Sequence, residues 1–124
     1  MAFLSDNVFD QGLNYLDTNA GALHICSQEP TSYAEATSTY TLGNKTSPAI
    51  AAPSDRAGGG REVVVSAISD GEVTGTGTAT HWAIVKTTAT EELLATGALN
   101  ASQAVTDGNT FTLTQFAIGI PDPA

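Results

Sequence analysis

The sequence predicts a mainly β protein, an antiparallel β-sandwich or jelly-roll-like barrel with one short N-terminal helix. Three observations lead there. Short apolar stretches alternate with polar residues at a period of two, turn-forming residues punctuate them every ~8–12 positions, and only the N-terminal stretch shows a period near 3.6. The 124 residues fit a single β domain, 1–124, with an N-terminal helical arm over about 1–20 and a loop-rich Ser/Thr/Ala/Gly segment over about 31–60.

Ser5 or Asp6 can cap a helix that runs to Asp17, in which Phe9, Leu13 and Leu16 fall at i, i+4 and i+7 on one face. Gly12 lowers helix propensity by roughly 1 kcal/mol relative to Ala, so this helix needs a surface to pack on. Either the sheet of the same chain or a neighbouring subunit can supply it. From Ala22 the period changes: Leu23 and Ile25 alternate with His24 and Cys26, which predicts a half-buried strand ended by Gln28-Glu29-Pro30. Residues 31–60 hold few large apolar side chains, together with Pro48, Pro53 and Gly58-Gly59-Gly60. They predict weak strands at 38–42 and 47–51 followed by flexible loop, and a segment ordered fully only against a neighbour.

Residues 61–69 set Val63, Val65 and Ala67 against Val64, Ser66 and Ile68, apolar on both faces, as in an interior strand. Asp70-Gly71 predicts a hairpin turn, with a return strand over 72–78. In 80–87, Trp82 and Ile84 share one face while His81, Ala83 and Val85 share the other, and 93–97 form a further strand. The last strand, 109–120, follows Asp107-Gly108. It carries Phe111 and Leu113 at odd positions but Phe116, Ile118 and Ile120 at even ones. Because side chains alternate strictly along a strand, a β-bulge, or a bend that passes the chain from one sheet to another, must fall between Leu113 and Phe116, with Phe111 and Ile118 both reaching the core. Pro121 and Pro123 end the strand.

Charged residues make up 14 % of the chain, well under the typical ~25 %, so small neutral side chains must cover the exposed faces. Such a surface suits contact with another protein. The net charge is −9, with Lys45, Arg56, Arg61 and Lys86 as the strong cations, and no basic stripe exists to neutralise phosphates. Neither nucleic acid nor membrane is an expected partner. The lone Cys26 has no intrachain disulfide partner, the N-terminus is too short and acidic for a signal peptide, and no apolar run approaches ~18 residues. Synthesis and folding in the cytoplasm are the expectation.

Chemistry-bearing motifs are sparse. His24 and Cys26, at i and i+2, share a strand face, and His81 is a candidate third ligand, but a structural zinc site normally shows two close ligand pairs and there is one here. Glu91 and Glu92 are adjacent and point to opposite faces, which is wrong for two acids flanking one bond. Asp70, Glu72, Asp107 and Asp122 stand beside Gly or Pro, where carboxylates serve turns. Gly75-Thr76-Gly77-Thr78 lacks the Lys-Ser/Thr of a phosphate loop. Trp82 reads as core. No catalytic residue, no cofactor and no metal ligand is expected, and the chain does not read as an enzyme.

The segments Thr78-Ala79-Thr80-His81-Trp82-Ala83-Ile84-Val85, Glu92-Leu93-Leu94-Ala95-Thr96-Gly97-Ala98-Leu99 and Gln103-Ala104-Val105-Thr106-Asp107-Gly108-Asn109-Thr110-Phe111, with Asn7-Val8-Phe9-Asp10-Gln11-Gly12-Leu13, resemble small virion structural proteins of tailed bacteriophages. The resemblance implies a virion protein made in the host cytoplasm. Within that class, the acidic charge, small size and Thr/Ala surface look like a capsid decoration protein that binds the outer shell as an oligomer. It would associate with itself, a trimer being favoured, and with the major capsid protein or other virion proteins. Phe9, Leu13, Leu16, Tyr33 and Tyr40 are the candidate assembly residues. Two further expectations are a tail or neck component (tube, adaptor or fibre-attachment domain) and a receptor- or sugar-binding β-sandwich in which Trp82 or Tyr40 is an exposed stacking platform.

Overall fold

The computed structural model describes residues 4–88 and 90–122. In chain order it contains helix α1 (Asp6–Asn19), β1 (Ala22–Cys26), a π-helical turn (Glu35–Thr39), β2 (Thr41–Thr46), β3 (Ser54–Asp55), β4 (Arg61–Val65), β5 (Ile68–Val73), β6 (Gly77–Lys86), β7 (Glu92–Val105), β8 (Thr110–Leu113) and β9 (Phe116–Ile120). The protein is mainly β with antiparallel pairing and one N-terminal helix, as its sequence predicts. Its elements divide between two compact units, one of residues 19–48 and 68–113, the other of 4–18, 49–67 and 114–122.

The first unit is a six-stranded sheet in the order β7-β6-β1-β2-β5-β8. β1 lies inside it, with Ala22 to Cys26 opposite Val85 to His81 of β6 on one side and β2 on the other. Both faces of β1 are covered and all five residues are buried, so the expectation of a half-buried strand is corrected. Leu23, Ile25, Val73, Ile84, Val85 and Phe111 are among its most deeply buried side chains. β7 runs well past the predicted 93–97, to Val105. Four of its residues, 99–102, stand against Thr80 alone, an irregularity that lets a long strand bend without leaving its partner.

Asp70-Gly71 does not turn the chain. Both lie within β5, where Gly71 is opposite Phe111 of β8 and the register shifts between Ile68 and Gly71. Gly71 is there because the Phe111 ring occupies the space its side chain would need. The reversal falls instead at residues 74–76, where the N–H groups of Thr74 and Gly75 both donate to the Leu42 carbonyl, at 2.8 and 3.1 Å.

The second unit holds α1 and a three-stranded sheet, β3-β4-β9. Ser5 caps the helix, its hydroxyl accepting from Asn7 N–H at 3.2 Å. Arg61 of β4 ties the helix to the sheet: Nε and Nη2 donate to the two oxygens of Asp10 at 2.9 and 3.2 Å, and Nη1 reaches Asp55 of β3 at 2.7 Å. This bidentate geometry is specific to a guanidinium. Val63 and Val65 of β4 are fully buried.

The predicted single strand over 61–69 is two, since the chain leaves β4 after Val65 and enters the other sheet at Ile68. The parity change between Leu113 and Phe116 marks the same kind of passage, for β8 belongs to the six-stranded sheet and β9 to the small one. Phe111 is 1 % exposed, but Ile118 is only half-buried, so one of the two expected core contacts is complete. Residues 31–60 are more structured than expected. The π-helical turn is closed by Tyr40 N–H donating to Glu35 O at 2.9 Å, β2 starts within the predicted 38–42, and 47–51 provide only an isolated bridge, Ile50 with Val65. β9 ends before Pro121, whereas Pro123 lies outside the described residues.

Candidate functional site

The cross-strand register brings three chemistry-bearing residues onto one sheet face. His24 and Cys26 share it by spacing, and His81 joins because it stands opposite Cys26. Their side chains then turn to separate partners. His24 Nδ1 lies 2.8 Å from Thr41 Oγ1, whose proton goes to the Gly43 carbonyl at 3.2 Å, so the ring donates from Nδ1. His81 repeats the arrangement: Nδ1 is 2.9 Å from Thr80 Oγ1, which donates to Ser27 O at 3.0 Å. The Cys26 thiol points at the Ala36 carbonyl of the π-helical turn, 3.7 Å away. Among the described residues, no group of three or more His, Cys, Asp or Glu is placed to hold a metal ion.

Burial pushes the Cys26 thiol up to about 11, so at neutral pH it stays protonated and is a poor nucleophile. A thiol reagent at pH 7 is expected to leave the native protein essentially unlabelled and to modify one thiol per chain after denaturation, as read by mass spectrometry. Rapid labelling of the folded protein would contradict this environment.

Burial also lowers the proton affinity of His24. Below about pH 6.5, the ordinary histidine value, the unfolded chain therefore binds more protons than the folded one. Stability should fall as the pH drops from there, until the folded imidazole protonates too. Thermal unfolding in steps from pH 7.5 to pH 5 checks this, with His24→Gln expected to flatten the slope.

Trp82 is 8 % exposed, with its indole over Gly97 of β7, and is core rather than an open stacking platform. Tyr33 and Tyr40 are half-buried against Ala22, Cys26, Ala36, Ala83 and Val85. Their hydroxyls engage carboxylates, Tyr33 with Glu91 and Tyr40 with Glu35. Glu35 is held below the usual carboxylate range chiefly by the backbone N–H and hydroxyl of Thr31, each at 2.8 Å.

The other candidate assembly residues are placed differently from expectation. Phe9 and Leu13 are 2 % exposed and Leu16 is nearly as covered, so the chain itself supplies the surface this stripe needs, and they are not available to a neighbour in the folded chain. Among the described residues, the large apolar side chains that stay exposed are Leu4, Val8 and Tyr15. Val8 and Tyr15 are seven residues apart and fall on one side of α1, a second stripe that the same helical period could have revealed. Three of the four strong cations are engaged internally: Arg61 as above, Lys45 with Asp70 at 2.9 Å, and Arg56 with the Gly59 carbonyl at 3.0 Å. Among the described residues, no helix is long and apolar enough to cross a membrane.

Set against protein-family models, curated proteins and solved structures, the chain matches none of them.

Proposed function

We propose that this chain is a structural protein of a tailed-phage virion, which decorates and stabilises the outer capsid shell as an oligomer. The observation that carries the reading is the surface. Among the described residues, the large exposed apolar side chains lie on or beside one helix, and the net charge is −9 with most cations engaged by the chain's own acceptors. An exposed apolar stripe on an acidic protein supports binding to protein rather than to phosphate-bearing partners. The neutral Thr/Ala surface and the sequence resemblance point the same way. The partners are then other copies of this chain and the major capsid protein. The alternative of a sugar-binding sandwich built on Trp82 loses support because that ring is covered.

Cosedimentation with shells that lack the protein tests this. Purified chain should bind such shells saturably, and Val8→Asp with Tyr15→Asp should lose binding while keeping the circular dichroism of the parent. Failure of the parent to bind shells, with the fold intact, would overturn the reading.

A further inference from the structure

We propose that Asp107 is a site of spontaneous isoaspartate formation in the folded chain, and that the fold withholds the same chemistry from the chain's other Asp-Gly step, Asp70-Gly71. The reaction needs only water. The amide nitrogen of the glycine gives up its proton and bonds to the aspartyl side-chain carboxyl carbon. One carboxyl oxygen departs as water, carrying that proton and the acid's own, and a five-membered imide closes. Water then adds to either imide carbonyl. At the side-chain carbonyl it breaks the new C–N bond and restores aspartate. At the main-chain carbonyl it breaks the original peptide bond, so the chain runs through the side-chain carbon and a free α-carboxylate remains. Mass and charge are unchanged, and the backbone is one methylene longer. Glycine favours the step because no side chain hinders its nitrogen.

Local structure sets the two steps apart. Asp107 and Gly108 are both exposed, in the turn between β7 and β8. Gly108 has φ +91°, and a Cβ there would meet nothing within 4 Å, so the turn is open on that side. The Gly108 N–H donates to the Val73 carbonyl at 3.0 Å, and Asn109 N–H closes the turn on Thr106 O at 3.0 Å. The nitrogen is released when this short exposed turn opens by itself, a fluctuation far smaller than unfolding of the sheet.

Gly71, by contrast, is buried in β5, an interior strand between β2 and β8. Freeing its nitrogen requires the Phe111 ring to withdraw and the β5/β8 ladder to part. Asp70 is anchored as well. Lys45 Nζ donates to its Oδ2 at 2.9 Å and holds the carboxyl below the usual carboxylate range, so the acid form that loses water is scarcer.

Conversion at Asp107 reaches the sheet through Val73, which accepts from Gly108 N–H and donates its own N–H to Asn109 O at 3.0 Å. The added methylene falls inside the turn that Thr106 O and Asn109 N–H close, and β8, which seats Phe111, begins at Thr110. The converted chain should therefore be less stable than its parent.

The test does not rest on the virion reading and uses the purified chain. Lys45, Arg56, Arg61 and Lys86 place the two Asp-Gly steps in separate tryptic peptides, 62–86 and 87–124. Protein warmed at neutral pH is digested, and isoaspartate is read by isoaspartyl methyltransferase labelling and electron-transfer fragmentation. In native buffer Asp107 should convert several-fold faster than Asp70, and in denaturant the two rates should converge. Asp107→Glu, which cannot close the five-membered ring, should remove the signal from 87–124 and leave that of 62–86 unchanged. The proposal is overturned if Asp107 stays unconverted in the folded chain while the denatured chain converts, if Asp70 keeps pace with it in native buffer, or if the same ratio persists in denaturant.

Discussion

Phe111→Ala is expected to cost about 3–5 kcal/mol, which approaches the whole stability of a marginal domain. Phe111 is 1 % exposed in β8. Its ring lies over Gly71 of β5, where a Cβ would overlap the ring carbons. Removing the ring leaves a cavity bounded on one side by the Gly71 backbone, which has no side chain to move into it. That places the substitution toward the costly end of its class. The converse change, Gly71→Ala, forces the ring aside and should also destabilise. Because both act at one contact, the double variant should lose less than the sum of the single losses. Urea titrations of the four proteins check this, with midpoints moving and slopes constant if the unfolded state is unaffected.

Gly60→Ala should be the most disruptive single-methyl change in the smaller unit, and far worse than Gly58→Ala two residues earlier. Both glycines have positive φ, +88° at Gly58 and +90° at Gly60, so each substitution meets the backbone strain of about 1–3 kcal/mol that a non-glycine residue incurs there. They differ in what a Cβ would strike. At Gly58 it meets only Arg56 Nη1, at an ordinary contact distance of 3.9 Å, whereas at Gly60 it runs into the Ile120 carbonyl and Pro121 Cα. Those are backbone atoms at the end of β9, next to the Arg61–Ile120 pair, so relief requires β4 and β9 to part. Thermal unfolding should show a small loss for Gly58→Ala and a loss several times larger for Gly60→Ala. Equal losses would show that φ alone decides.

Features that depend on one strand's own pattern were legible in the sequence. The parity change between Leu113 and Phe116 required a bulge or a change of sheet, and the change of sheet is what occurs. Phe9, Leu13 and Leu16 announced a helix with one buried face. Its period cannot say who covers that face, and the chain does so itself. Features set by a distant partner were not legible. Asp70-Gly71 has the composition of a hairpin turn, and only the Phe111 ring opposite explains why a glycine there sits inside a strand. Residues 61–69 are apolar on both faces, so nothing local marks the change of sheet after Val65. The shared face of His24 and Cys26 follows from spacing, but the place of His81 beside them is a matter of register between β1 and β6. That they bind separate partners depends on where Thr41 of β2, Thr80 of β6 and Ala36 of the π-helical turn are placed, which no single strand's pattern gives.

Electron cryomicroscopy of phage particles assembled with and without this protein tests the proposed role most directly. The difference map should show density of this chain's size repeated over the outer surface of the capsid shell. The shells that lack it should open at lower temperature or lower ionic strength. Identical capsid surfaces in the two maps, or density confined to the tail, would contradict the assignment to the shell.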